Sequence, residues 1–141
     1  MERYYDTTTA GSGDTGRLIL RLAVGGLLLL HGISKLINGI GWLVGMLEGK
    51  GLPGFFAYGV YIGEVIAPIL LLLGFRTRIA ALLVVGNMLT AIILSHMQEI
   101  GQLGKSGGWA IELPALFLLG ALALFFLGGG RYAASTRNRW D

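Results

Sequence analysis

The chain lacks cysteine altogether, has three prolines and two histidines among 141 residues, and is only 13% charged. Without cysteine there is no disulfide, no thiolate-held cluster and no thiol relay within the chain. The compartment stays open, because a chain free of cysteine is allowed anywhere. A soluble domain carries about twice this share of charge. What fills the space is apolar: 54% of residues are hydrophobic, and the mean hydropathy is +0.69. The net charge of +3 matters less than where the basic residues stand. No nucleic-acid partner is expected.

Four apolar segments, 17–37, 55–75, 79–97 and 109–127, dominate the sequence. Each has about the 20 residues a helix needs to cross a bilayer core. None shows the polar face of a helix in a water-soluble domain. In lipid the backbone must satisfy its own hydrogen bonds, so these segments are expected to be helices. The first has sixteen mostly polar residues before it and no small-x-small cleavage site after it, and reads as a retained span rather than a signal peptide. The expected fold is therefore all-α: an integral membrane, antiparallel four-helix bundle. The first outer loop, "IGWLVGMLEGKGLPG", places Trp42, Leu43, Met46 and Leu47 at helical spacing, which suggests a short interfacial helix. Residues 1–16 are expected to be a disordered tail, 17–131 the membrane domain, and 132–141 a cytoplasmic tail.

Basic residues set the expected orientation. Arg3, Arg17, Arg76, Arg78, Arg131, Arg137 and Arg139 fall on the side of the termini, and Lys35, Lys50 and Lys105 on the other. Seven against three favours both termini in the cytoplasm of a multi-pass protein. Arg21, one turn inside the first span, is expected to snorkel toward that same face.

With the topology drawn, ionisable residues can be placed by height. "HGISKL" sets His31 and Lys35 four residues apart near the outer end of the first span, on one helix face. Glu64 lies about 13 Å into the second span at 1.5 Å per residue. Asn87 sits near mid-depth of the third and His96 near its outer end; Glu112 lies just below Trp109 in the fourth. Two carboxylates, two imidazoles and one ammonium, from four helices, thus fall in the outer half and are expected to meet in one pocket. A charge in hydrocarbon costs at least about 2.5–3.5 kcal/mol. Glu64 is too deep and too short to snorkel, so it must be neutral, paired or wetted, with Lys35 or His31 as its natural partner. Pro68, one turn beyond Glu64, frees a carbonyl and can kink the helix to open a cavity there.

"RLAVGGLLLLHGISKL", "GLPGFFAYGVYIGEVIAPILLLLGFRTRIAALLV", a glutamate early in the fourth span and the closing "GGGRYAAS" together resemble the DoxX family of bacterial and archaeal four-span membrane proteins. The resemblance covers residues 17 to 135. It departs at Gly128–Gly130, where many members have Gly-Pro-Gly. It implies the bacterial or archaeal cytoplasmic (inner) membrane and a quinone-linked oxidoreductase subunit in sulfur-compound or stress-related redox chemistry, with a soluble redox enzyme as partner. On that reading His31 and Lys35 hold quinone carbonyl oxygens, Glu64 and Glu112 relay protons, and Asn87, His96 and Trp109 complete the binding wall. Quinone is the expected cofactor; no metal is expected, and a haem held by His31 and His96 is not favoured. The alternatives are a small-solute or proton-coupled binding or transport protein, and a membrane scaffold docking soluble enzymes. Homo-oligomerisation is compatible with each.

Overall fold

The computed structural model describes residues 7–141. Five helices carry the fold: α1 (Thr7–Asn38), α2 (Gly41–Gly49), α3 (Gly54–Leu73), α4 (Thr77–Ser95) and α5 (Glu112–Leu127). Four of them form an antiparallel bundle in which α1 packs against α3 and α5, and α4 against α3 and α5. The short helix expected in the first connection is α2, which packs on the start of α3 through Ile40, Leu47, Ala57 and Val60. Helices α1, α3 and α4 are long and apolar enough to cross a membrane. Helix α5, at 16 residues, spans about 24 Å and is the shortest of the four.

Small residues let the helices close on one another. Ala67, Ala80, Ala81 and Ala121 are fully buried, with Leu28, Leu71, Val84 and Leu124 filling the space between them. The outward faces are apolar as well: Ile19, Leu30, Ile37, Leu116 and Phe126 are each more than 60% exposed. In water these faces would form one large apolar patch. In a bilayer they meet acyl chains and cost nothing.

Two elements differ from the sequence-based expectation. The tail expected to be disordered over 1–16 is helical from Thr7, as a continuation of α1. Thr15 Oγ bonds the Gly11 carbonyl, and Arg17 Nη1 pairs with Asp14 at 2.8 Å, one turn apart, so the extension supplies its own contacts. Residues 1–6, including Arg3 of the orientation argument, lie outside the described residues. The second outer connection, expected to be flexible, folds into a compact turn. A bridge joins Leu103 and Trp109, and the Trp109 indole N–H donates to the Ile100 carbonyl at 2.6 Å. The fourth helix consequently starts at Glu112 rather than Trp109.

Arg21 does not snorkel. It is 1% exposed, and its guanidinium forks over three carbonyls: Nε to Leu71 at 2.8 Å, Nη1 to Gly129 and Nη2 to Leu72, both at 3.0 Å. Leu71 and Leu72 belong to the last turn of α3, where carbonyls lack partners within the helix. One side chain thus ties α1, the end of α3 and the segment after α5 together.

Candidate ligand-binding cavity

Glu64 is placed by a break in helical regularity. Pro68 has no N–H, so the Glu64 carbonyl loses its usual donor four residues on. The chain answers with a π turn over Ile62–Ile66, closed by the Ala67 N–H on the Ile62 carbonyl. Such turns redirect side chains and recur at functional sites. The released Glu64 carbonyl faces Gly32 of α1. A Cβ built at Gly32 would overlap that oxygen, and would stand 2.6 Å from the Glu64 carbonyl carbon and 2.8 Å from Val65 Cγ2. Glycine is therefore what allows α1 to lie against the π turn. Gly63 does the same toward α4, where a Cβ would meet the Asn87 side chain.

These close approaches bring three polar groups together. Lys35 Nζ donates to Glu64 Oε2, and Asn87 Nδ2 donates to Glu64 Oε1 at 3.3 Å. The Glu64 side chain is 6% exposed and that of Lys35 21%. The acid is thus paired by Lys35, one of its two expected partners, and both its oxygens have a donor. Desolvating such a pair is costly, and the additional hydrogen bond from Asn87 offsets part of that cost.

Beside the cluster lies a cavity of about 990 Å³. Lys35, Glu64 and Asn87 are among its polar lining; Leu28, Met88 and Phe117 form apolar walls. Exposed residues Ile62, Leu82, Leu83 and Ile93 also line it, so it opens sideways through an apolar rim on α3 and α4. Trp42 and Leu47 of α2 contribute to the wall at the lysine end of the bundle.

His31 reaches the same cavity from α1, with its ring edge-on to Phe117 at a centroid distance of 5.8 Å. Its Nδ1 lies 3.1 Å from the Leu27 carbonyl. A carbonyl can only accept, so this bond assigns the proton to Nδ1 in the neutral ring and leaves the Nε2 lone pair free. His96 also lines the cavity, but its Nδ1 is engaged at 2.8 Å by Glu99 Oε2.

The five ionisable residues expected in one pocket are therefore not all together. His31, Lys35, Glu64 and His96, with Asn87, line the cavity. Glu112 and Trp109 do not: Glu112 is exposed at the first turn of α5, and Trp109 is held in the preceding turn by Ile100. Helix α5 presents Leu113, Pro114 and Phe117 to the cavity instead. Among the described residues, no group of three or more His, Cys, Asp or Glu side chains is arranged to hold a metal.

Fold and site together define a multi-pass, all-helical membrane protein with a charged cluster inside the bundle. A DoxX family model matches residues 16–97. The chain is 32% identical over 134 residues to "Uncharacterized membrane protein Rv3486" of Mycobacterium tuberculosis, a match covering 89% of this chain and 82% of that protein. It is 34% identical over 82 residues to "Putative oxidoreductase CatD" of Bacillus subtilis, covering 58% of this chain and 60% of that protein. The chain belongs to the DoxX family. No solved structure matches it.

Proposed function

We propose that the protein is the membrane subunit of a quinone-linked oxidoreductase, with the cavity beside Lys35, Glu64 and Asn87 as its quinone site. The supporting observation is the combination in that cavity: apolar walls that suit a lipid-soluble ring, a lateral rim facing the acyl region, and hydrogen-bond donors at the inner end. The oxidoreductase name of the Bacillus subtilis relative agrees with this reading.

The donor set fits carbonyl oxygens. A bound quinone supplies a two-electron, two-proton acceptor. Lys35 Nζ has three N–H donors, of which Glu64 takes one, leaving others for a carbonyl oxygen. The second N–H of the Asn87 amide is available in the same way. Glu64 fixes the ammonium in place and is the nearest group able to hold a proton at its carboxylate oxygens. His31, with Nε2 free, carries a second exchangeable proton position on the cavity wall. Phe117, Leu28 and Met88 exclude water from the deep side. The chain has no cysteine relay, so electrons reach the site from a reduced substrate or a soluble redox partner. The arginine-rich end, placed in the cytoplasm of a bacterial or archaeal cell by the positive-inside rule, offers that partner its docking charge.

Trp42 lines the cavity whereas Trp109 and Trp140 do not, which provides a built-in reporter. A short-chain benzoquinone titrated into the detergent-purified protein is expected to quench fluorescence saturably, and Trp42→Phe to remove the saturable part. Lys35→Met is expected to weaken binding by about tenfold, the value of one charge-assisted hydrogen bond. Glu64→Gln is expected to abolish quinone-dependent turnover while the helical circular dichroism spectrum is kept. Non-saturating quenching in the wild type, or equal affinity in a folded Lys35→Met protein, rejects the quinone site. Uptake of a polar solute into proteoliposomes without a redox partner favours transport instead.

A further inference from the structure

A second cavity, of about 350 Å³, lies at the opposite end of the bundle. It is built where α4 begins and α5 stops, beside the stretch of α1 that carries Asp14 and Arg17. Arg17 comes from α1, Arg78 from the first turn of α4, and the turn Gly128, Gly129, Gly130 follows α5; Arg131 and Arg139 of the tail complete it. Gly128 and Gly130 take φ of +74° and +73°. A Cβ at Gly128 would stand 2.9 Å from the Asp141 carbonyl oxygen and 3.5 Å from the Arg78 guanidinium. Glycine in this turn therefore keeps the space open and the arginine close.

Four arginines line this space; Arg17 and Arg78 are half-buried, while Arg131 and Arg139 are exposed and lie over the Tyr132 and Trp140 rings, free to turn toward an anion. Two acids also line the cavity: Asp14 is engaged through Oδ1, and Asp141 is engaged through Oδ2 while its buried Oδ1 makes no hydrogen bond. Asp14 pairs with Arg17 at 2.8 Å and accepts the Arg131 N–H at 3.3 Å. Asp141 Oδ2 accepts from Ser135 Oγ at 2.7 Å and from the Asn138 N–H at 2.8 Å, and its other oxygen faces Arg76 at 3.8 Å. Hydrogen bonds to the charged form, that of Ser135 first, hold the Asp141 carboxyl below the usual aspartate range against the opposing effect of burial, so it stays ionised at neutral pH. Neither acid reaches the side chains of Arg78, Arg131 or Arg139, which have no carboxylate partner among the described residues. Arg78 Nε and Arg17 Nε are shielded from solvent with no acceptor at all. A buried charged donor left unmade is costly, and one oxyanion with several oxygens relieves both deficits.

We propose that this cavity binds a phosphate-type oxyanion, with Arg78 and Arg139 as its principal ligands. Its position at the start of α4 and the end of α5 is the level at which lipid phosphates lie when those helices span a bilayer, and basic pockets between helices at that level take anionic headgroups. A phosphodiester headgroup and free phosphate share the chemistry, and the two sources separate by experiment.

The delipidated wild-type protein, in a non-ionic detergent, is titrated with phosphatidylglycerol and with phosphatidylcholine and read by native mass spectrometry; inorganic phosphate is titrated in parallel and read by thermal shift. Selective retention of phosphatidylglycerol identifies a headgroup site, and stabilisation by phosphate without lipid selectivity identifies a free-anion site. Arg78→Gln and Arg139→Gln are each expected to lower the affinity about fivefold, the effect of one basic residue near an anionic surface. Arg139 lies in the tail outside the bundle core, so its variant remains informative if Arg78→Gln folds poorly. Arg137, exposed at the same end but not lining the cavity, is the control, and Arg137→Gln is expected to bind as the wild type does. Absence of binding for both probes, or an equal loss in Arg137→Gln, overturns the proposal.

Discussion

Arg21→Met is expected to destabilise the protein by about 3–5 kcal/mol, the largest single effect we foresee. Methionine keeps much of the apolar stem and removes only the guanidinium. Three carbonyls, Leu71, Leu72 and Gly129, then lose the guanidinium at once, and of these Leu71 keeps a second donor, the Gly74 N–H at 3.1 Å. Each charge-assisted bond contributes about 1.5–3 kcal/mol, and part of that sum is returned because the charge no longer has to be desolvated. Arg21→Lys is expected to recover only part of the loss, because a point-like ammonium cannot reach three separated acceptors as a planar fork does. Equilibrium unfolding of purified protein in a fixed detergent measures both. Wild-type stability in Arg21→Met would mean that burying the guanidinium costs as much as its three bonds return.

The second large effect is expected at Gly32. In Gly32→Ala the new methyl group meets backbone rather than a flexible side chain, so α1 and the π turn of α3 must move apart. Overpacking of this kind costs about 1–3 kcal/mol, and rigid backbone places Gly32 at the upper end. The functional loss is expected to exceed the loss of stability, because the same displacement separates Lys35 from Glu64. Gly26→Ala is the matched control. It lies on the same helix with nothing within 4 Å of its Cβ position, and alanine there is expected to add about 0.5–1 kcal/mol through helix propensity. Thermal denaturation together with quinone quenching separates the two variants. An unchanged Gly32→Ala protein would contradict the packing described for α1 and α3.

The height of the polar residues was readable from the sequence, but their facing only in part. Counting from the helix ends set Lys35 and Glu64 in the same outer half of the bundle, and they meet there. The same counting put Glu112 in that half, yet it lies outside the cavity. Height depends on residue number alone, whereas facing depends on helix phase, and the compact turn that ends in Trp109 sets where α5 begins. With Leu113 and Phe117 turned inward, Glu112 falls to the side of that stripe. The role of Arg21 was legible but overlooked. Arg21, Val24, Leu28 and Lys35 share one face of α1, so a helical wheel puts Arg21 on the face of Lys35, and in the structure the first three are buried. Its acceptor at Gly129 lies 108 residues away, and no local pattern announces it. The π turn was foreshadowed by Pro68, which pointed to a kink but not to its form. The helical continuation of α1 through 7–16 ran against a composition rich in Gly and Thr, because a long helix already formed in the span extends at little cost.

The most direct test of the quinone site is photolabelling with an azidoquinone in reconstituted membranes, followed by mapping of the labelled residues. The account predicts label on the cavity wall, at residues such as Met88, Leu94 and Phe117, that is displaced by excess unlabelled quinone and lost in Lys35→Met. Label that excess quinone does not displace, or label confined to outward faces such as Ile19 and Phe126, would contradict it.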